Sequence, residues 1–131
     1  MSTTMPAWLT APDDDHAAAE GRVHRVGTPS GGGTYFGVAR LVLTLDDVDA
    51  VRPGEVVVAP ALSPALAALL PLAGAIVAES GGPLSNGAIV ARALGVPTVV
   101  AVADVTRVIA TGDELLIDGT TGAVDRFRHR R

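Results

Sequence analysis

Residues 79–102 read ESGGPLSNGAIVARALGVPTVVAV and carry the clearest structural signal in the chain. A short apolar run leads into Gly81 and Gly82, and Ser85 suits the N-cap of a helix over residues 86–94. Gly95 follows where a left-handed C-cap is favoured, and a proline opens the next β-branched run. We therefore predict a strand, a glycine loop, a capped helix and a second strand. The helix is expected to bury an apolar stripe formed by Ile89, Val90, Ala93 and Leu94.

Short β-branched runs bounded by turn residues continue on both sides of this stretch and predict further strands. They lie at residues 35–45, 56–59, 75–78, 98–102, 114–117 and 123–124. Two more helices are predicted, over residues 63–70 with Ser63 as N-cap and Pro64 in the first turn, and over residues 105–109 with Asp104 as cap. The middle alternates strand and helix while the ends form antiparallel pairs, which predicts a mixed β/α domain.

The length of 131 residues favours one domain with tails. Residues 1–26 are predicted to be a tail or linker, and the glycine-rich loop at residues 27–34 is predicted to be a hinge into the folded part. The folded domain is placed at residues 27–127, followed by a basic C-terminal end at residues 128–131 that we expect to be solvated.

Composition excludes several classes of protein. Hydrophobic residues make up 48% of the chain, which suffices for a core, and the absence of cysteine excludes disulfides and thiolate metal sites. All ten basic residues in the Lys+Arg count are arginine, so neither a Walker lysine nor a Schiff-base lysine is present. The net charge of −4 argues against nucleic acid as a partner. No apolar run is long enough to predict a membrane span, and Asp13, Asp14 and Asp15 stand where a signal peptide would be basic, so we expect a cytoplasmic protein.

A glycine loop in front of a helix N-terminus offers backbone N–H groups to an anion. Gly81, Gly82, Ser85 and Gly87 are the candidate residues of such a phosphate-binding or anion-binding loop. The same features also fit a tight turn that feeds a small helix, and the residues alone leave both interpretations open.

The stretch resembles the active segment of the phosphohistidine swivelling domain of phosphoenolpyruvate-utilising enzymes, which include phosphoenolpyruvate synthase, pyruvate phosphate dikinase and the rifampin phosphotransferases. The family pattern is Gly-Gly-x-Thr/Leu-Ser-His-x-Ala-Ile-Val-Ala-Arg-x-x-Gly-Ile/Val-Pro. The matching residues are Gly81, Gly82, Leu84, Ser85, Ala88, Ile89, Val90, Ala91, Arg92, Gly95, Val96 and Pro97. The similarity covers about residues 27–127 and implies a swivelling β/β/α domain with a mixed sheet, short helices and a closing antiparallel hairpin.

Asn86 stands where this family has its phosphorylated histidine. The histidine of the family accepts a phosphoryl group at one active site and delivers it at another, which requires a nucleophilic ring nitrogen. The nitrogen lone pair of a carboxamide is delocalised, so Asn86 is not expected to carry phosphate. Ser85 has a hydroxyl but no evident neighbouring base, and helix capping is its expected role. Arg92 lies off the apolar stripe and is expected to pair with an acid or remain solvated, although the resemblance would also let it orient the loop.

Other polar residues carry weaker signals. His16, His24 and His129 lack a glycine loop or helix cap beside them and are interpreted as solvated surface histidines. The three aspartates at positions 46, 47 and 49 are interpreted as a charged helix start or turn. We predict no metal site and no cofactor in this chain.

Three functions remain open. The first is a mobile domain that has lost phosphoryl transfer and acts as a binding or regulatory partner. The second is a working phosphocarrier subunit of a split phosphotransferase. The second requires Asn86 to be an engineered change or another residue to accept phosphate. A structural oligomerisation module is the third, for which the aromatic content of 3% supplies no evident anchor. Nucleotide-binding or substrate-binding partner subunits are expected if phosphoryl transfer occurs.

Overall fold

A computed structural model describes residues 22–82 and 86–129, and within these ranges the chain forms eight strands and four short helices. The strands are β1 (Val23–Val26), β2 (Thr28–Pro29), β3 (Thr34–Leu41), β4 (Val56–Ala59), β5 (Ala75–Ala78), β6 (Thr98–Val100), β7 (Glu114–Asp118) and β8 (Ala123–Arg128). The helices are α1 (Leu45–Val48), α2 (Pro64–Ala67), α3 (Asn86–Leu94) and α4 (Val105–Val108).

The strands form one mixed sheet in the order β1-β8-β7-β3-β4-β5-β6-β2. Strands β3, β4, β5 and β6 are parallel to one another, whereas the other neighbours are antiparallel. Parallel neighbours need a crossover connection, and α2 and α3 supply it between β4 and β5 and between β5 and β6. The predicted mixed sheet with short helices and a closing hairpin, β7–β8, is confirmed.

The two ends of this sheet are joined by one residue. Strands β1 and β2 are separated only by Gly27, yet they occupy opposite ends of the strand order. The amide of Gly27 donates to the carbonyl of Gly122 at 2.8 Å, and the amide of Ser30 donates to the carbonyl of Thr98 at 3.0 Å. The sheet therefore curls until its edges meet across residues 27–30.

This closure corrects two predictions. Val23–Val26, assigned to the tail, form β1 and pair with β8. The predicted hinge at residues 27–34 is instead hydrogen-bonded into the sheet on both sides, since Gly31 donates to Gly119 at 2.8 Å as well. Sequence reasoning missed this because the partners lie about 70 to 100 positions away, beyond any local pattern. The remainder of the predicted tail, residues 1–21, lies outside the described residues.

Two hydrophobic clusters pack on the two faces of the sheet. In β4, Val56 and Val58 point into the curled sheet, whereas Val57 and Ala59 face the helices. Such burial on both faces is typical of parallel strands and explains why β4 and β5 are continuous apolar runs. The inner cluster contains Ala39, Val56, Val58, Ala75, Val77, Val99, Val102, Val105, Ile109, Leu115, Ile117 and Val124. The outer cluster contains Val42, Val51, Val57, Ala59, Leu66, Leu69, Leu70, Ala73, Ile76, Ala91 and Val96.

The basic C-terminal end follows directly from the last strand, and its described residues, Arg128 and His129, are exposed. Strand β8 extends to Arg128, and Arg126 is only 8% exposed, with its Nη1 atom 3.2 Å from Oδ2 of the buried Asp113. Nδ1 of His129 lies 3.0 Å from the other oxygen of Asp113, Oδ1. His129 is thus exposed at the surface, as predicted, but it is partnered by a buried carboxylate.

A substitution at Gly27 tests the closure of the sheet. A Cβ atom there would lie 2.4 Å from the Val100 carbonyl oxygen and 2.6 Å from Cγ2 of Val102. We expect Gly27→Ala to lower the free energy of unfolding by about 1–3 kcal/mol, the usual range for overpacking, measured by urea denaturation. Gly82→Ala is the matched control, because a Cβ there meets no atom of the residues that the structure describes within 4 Å. Equal unfolding midpoints for the two variants would contradict the closure.

Candidate functional site

The glycine loop lies at the carboxyl ends of the parallel strands. It leaves β5 after Ala78, and the amide of Glu79 donates to the carbonyl of Ala59, the last residue of β4, at 3.0 Å. Ser80 donates to the carbonyl of Pro60 through its amide at 3.0 Å and through its hydroxyl at 2.9 Å. This edge is where open parallel sheets usually bind ligands.

The loop itself is open. Gly81 has φ +115°, a backbone conformation that favours glycine, and a Cβ atom at Gly81 or Gly82 would meet none of the described residues within 4 Å. The stem of the loop is thus fixed by Glu79 and Ser80, while its two glycines leave room for the close approach of another molecule.

Asn86 opens α3, whose bounds agree with the predicted helix. Ser85, the predicted N-cap, lies outside the described residues. At the other end Gly95 has φ +74°, and its amide donates to the Arg92 carbonyl at 3.1 Å, so the predicted left-handed C-cap is confirmed.

The predicted buried stripe of α3 is wrong. Ala88 and Ala91 are fully buried, whereas Ile89 is 47%, Val90 44% and Leu94 53% exposed, and Ala93 is exposed as well. Close packing explains the reversal, since a Cβ atom on Gly87 would lie only 2.6 Å from Cγ of Leu62. Small residues therefore face the domain, and the larger apolar residues of this helix face outward.

Arg92 is exposed, as one of the two outcomes expected from the sequence has it, and among the described residues it contacts a backbone group rather than an acid. Its Nε donates to the carbonyl of Ser30 at 3.3 Å, and its side chain lies along Gly31. Arg92 thereby ties α3 to the segment that closes the sheet.

Glu79 was not singled out by sequence analysis, yet it caps a neighbouring helix. One carboxylate oxygen, Oε2, accepts from the amide of Thr106 at 2.9 Å and from the Thr106 hydroxyl. The side-chain and backbone hydrogen bonds from Thr106 hold the pKa of Glu79 below its ordinary value. Asp104, the predicted cap of α4, adopts φ +62° and makes no side-chain capping bond. Glu79 precedes the amide that it caps by 27 positions, so no local sequence pattern predicts this contact.

The remaining candidates have local structural roles. His24 bonds Asp125 through Nδ1, so it is exposed but partnered. The predicted charged helix start is α1, where the carboxylate of Asp47 accepts from the amides of Leu43 at 2.9 Å and Thr44 at 3.1 Å. His16 lies outside the described residues.

Among the residues that the structure describes, no three histidine, aspartate or glutamate side chains form a group able to hold a metal ion.

No helix in the described ranges is both long and apolar enough to cross a membrane.

Removal of the Glu79 carboxylate tests its capping role. We expect Glu79→Ala to cost about 1 kcal/mol of stability at neutral pH, as for the loss of a helix cap. Because the folded-state pKa is lowered, this stabilisation is present above the ordinary value of 4.5 and is lost as the pH falls through the folded-state pKa. The difference in thermal unfolding midpoint between Glu79→Ala and the unaltered chain should therefore become smaller in acid.

Asp104→Asn is the control for this measurement, since asparagine tolerates a positive φ and the change should stay within about 0.5 kcal/mol. A loss for Asp104→Asn equal to that for Glu79→Ala, or a loss for Glu79→Ala that persists unchanged in acid, would refute the capping role.

Comparison with known proteins places this geometry in a family. The model of the family described as "PEP-utilising enzyme, mobile domain" matches residues 51–122. These residues run from the turn before β4 to the turn before β8 and include the whole glycine loop and α3.

Individual relatives agree. The chain is 41% identical to a chondramide synthase of Chondromyces crocatus over 99 residues, which is 76% of this chain and 2% of that protein. It is 33% identical to a phosphoenolpyruvate synthase of Aeropyrum pernix over 114 residues, 86% of this chain and 14% of the relative. The chain thus spans about a seventh or less of these two relatives.

Solved structures give the same result. An N-terminal domain of Enzyme 1-Nitrogen matches with a TM-score of 0.53 and 32% identity over 63% of this chain and 35% of that one. Aconitase X of Thermococcus kodakaraensis matches with a TM-score of 0.57 over 79% of this chain and 98% of that one, but at 22% identity this likeness concerns the fold alone. With residues 51–122 matched, the chain belongs to the mobile-domain family of PEP-utilising enzymes.

Proposed function

We propose that this chain is a mobile domain of the phosphotransferase type that docks on partner domains but does not itself carry phosphate. The outward apolar face of α3, formed by Ile89, Val90, Ala93 and Leu94, is the observation that carries the proposal. In this role the chain acts as a binding or regulatory partner of nucleotide-binding or substrate-binding domains.

The apolar face of α3 has no role in the core of its own domain. Its three largest side chains are each about half exposed, while the core side of the helix is filled by Gly87, Ala88 and Ala91. Clustered apolar side chains at a surface are typical of interaction sites. This face belongs to the helix that Asn86 opens.

The chemistry of Asn86 supports the loss of phosphate transfer. In the family, the residue at this position must attack phosphorus and later leave from it, and a carboxamide does neither. The backbone amides of Gly81 and Gly82, together with the N-terminus of α3, retain the capacity to bind a phosphate group without reacting with it. The chain would therefore occupy a docking site and hold an anion there. Such a role needs no metal or cofactor in this chain and suits a cytoplasmic protein.

The second candidate is a working phosphocarrier. It is favoured by the glycine loop, whose stem is hydrogen-bonded to the domain and whose two glycines leave room for a ligand, as the loop of a carrier requires. Under that hypothesis another residue accepts phosphate, or Asn86 replaces a native histidine. The two candidates make opposite predictions about the chain as it stands.

Intact-protein mass spectrometry separates them. The chain and its Asn86→His variant are incubated side by side with ATP or phosphoenolpyruvate in an extract of the source cells. We expect an acid-labile phosphoryl adduct on the variant only, because the variant restores the ring nitrogen on an otherwise unchanged scaffold. Heat-inactivated extract is the control for non-enzymatic modification.

An adduct on the chain as it stands would overturn the proposal in favour of the phosphocarrier. An adduct on neither protein would contradict the claim that the scaffold still docks on a phosphoryl donor.

A further inference from the structure

A second apolar surface lies beside the glycine loop and is separate from the outward face of α3. It is a groove of about 350 Å³ between α1, the residues that follow β4, and α2. This volume is near the lower end of the range for small ligand sites. The groove is lined by Val42, Leu43, Thr44, Leu45, Val48, Ala59, Pro60, Ala61, Ser63 and Leu66.

The mouth of the groove exposes large apolar side chains. Leu45 is 74% exposed and Leu43 is 52% exposed, and both residues line the groove. Covering these side chains would remove apolar surface from water, which favours binding.

The elements that form the groove carry charge of one sign only. Residues 42–49 and 59–66 contain Asp46, Asp47 and Asp49 and no arginine, lysine or histidine. Asp46 and Asp49 are exposed. The amides of Leu43 and Thr44 lower the pKa of Asp47, so this group too is negative at neutral pH. The lining of the groove is therefore mostly apolar, and Asp47, which accepts from the amides of the lining residues Leu43 and Thr44, places a carboxylate beside it.

We propose that this groove docks a partner segment in which apolar side chains are flanked by basic residues. The apolar side chains enter the groove between α1 and α2, and the flanking arginine or lysine side chains face the aspartates of α1. Opposite charges at the rim of an interface select the partner and speed its association.

Segments of this chain fit the groove poorly. Trp8 and Leu9 are the large apolar residues near the N-terminus, but the acidic triplet at residues 13–15 follows them and would be repelled by α1. The basic end at residues 126–131 has the right charge, but its one large apolar residue, Phe127, is buried in the domain and only 8% exposed. A second copy of the chain offers the same two segments, so neither terminal segment, from this copy or a second one, matches the groove.

Three synthetic peptides test this inference on the full chain by fluorescence anisotropy. The first has a Leu-Phe-Leu centre flanked by arginines, the second has the same centre flanked by glutamates, and the third keeps the arginines around a Ser-Ser-Ser centre. We expect the first to bind at least roughly tenfold more tightly than either of the others, and to weaken as salt is added.

Variants of the chain locate the binding. Leu45→Ser and the double variant Asp46→Arg/Asp49→Arg should each weaken the first peptide several-fold, and both change exposed positions, so the unfolding midpoint should stay near that of the unaltered chain. Leu72→Ser is the matched control, because Leu72 is a partly exposed leucine outside this groove. Chemical-shift changes of backbone amides should centre on residues 42–49 and 59–66.

Equal binding of the glutamate-flanked peptide would refute the charge selection, and equal binding of the serine-centred peptide would refute the apolar anchor. Failure of all three peptides to bind, or shifts centred on α3, would overturn the site. The inference uses neither Asn86 nor the outward face of α3, so its failure leaves the proposed function standing, and the reverse also holds.

Discussion

The close approach of α3 to the rest of the domain is the constraint on which the site depends. At Gly87 there is no room for a side chain, because Leu62 fills that space. The helix can pack this tightly only through glycine and alanine, so its β-branched and leucine side chains are displaced to the outer surface. The packing that holds the helix against the sheet thus also creates an apolar surface at the end of the glycine loop.

The position of the loop follows from hydrogen bonds at its stem. Ser80 is tied to Pro60 after the neighbouring strand, and Glu79 is tied to Thr106 in the first turn of α4. These contacts hold the first residues of the loop against two different elements of the domain. The glycines beyond them remain open, which allows a backbone or a phosphate group to approach closely. A fixed stem with an open tip is suited to binding.

The sequence predicts the centre of this fold well and its periphery poorly. Strands β4 and β5 and helix α3 have the predicted bounds, because uninterrupted β-branched runs and a glycine C-cap are local signals. The pairing of β1 with β8 and of β2 with β6 joins distant segments, so no local pattern revealed it. Hydrophobic periodicity also assigned the wrong face of α3 to the core, because it ranks residues by polarity and cannot detect that the available space admits only Gly87, Ala88 and Ala91. Glu79 escaped notice for a similar reason, since its partner Thr106 is distant in sequence.

The proposed docking of the chain at the site of a phosphocarrier, without transfer of phosphate, is tested most directly by competition. The Asn86→His variant is phosphorylated in cell extract while the unaltered chain is added in excess as a competitor. We expect the unaltered chain to slow the labelling, an Ile89→Ser/Leu94→Ser competitor to leave it unchanged, and a Leu72→Ser competitor to slow it as the unaltered chain does. Labelling that proceeds at the same rate with and without the unaltered chain, or that the Ile89→Ser/Leu94→Ser competitor slows equally well, would show that the chain does not dock there through α3.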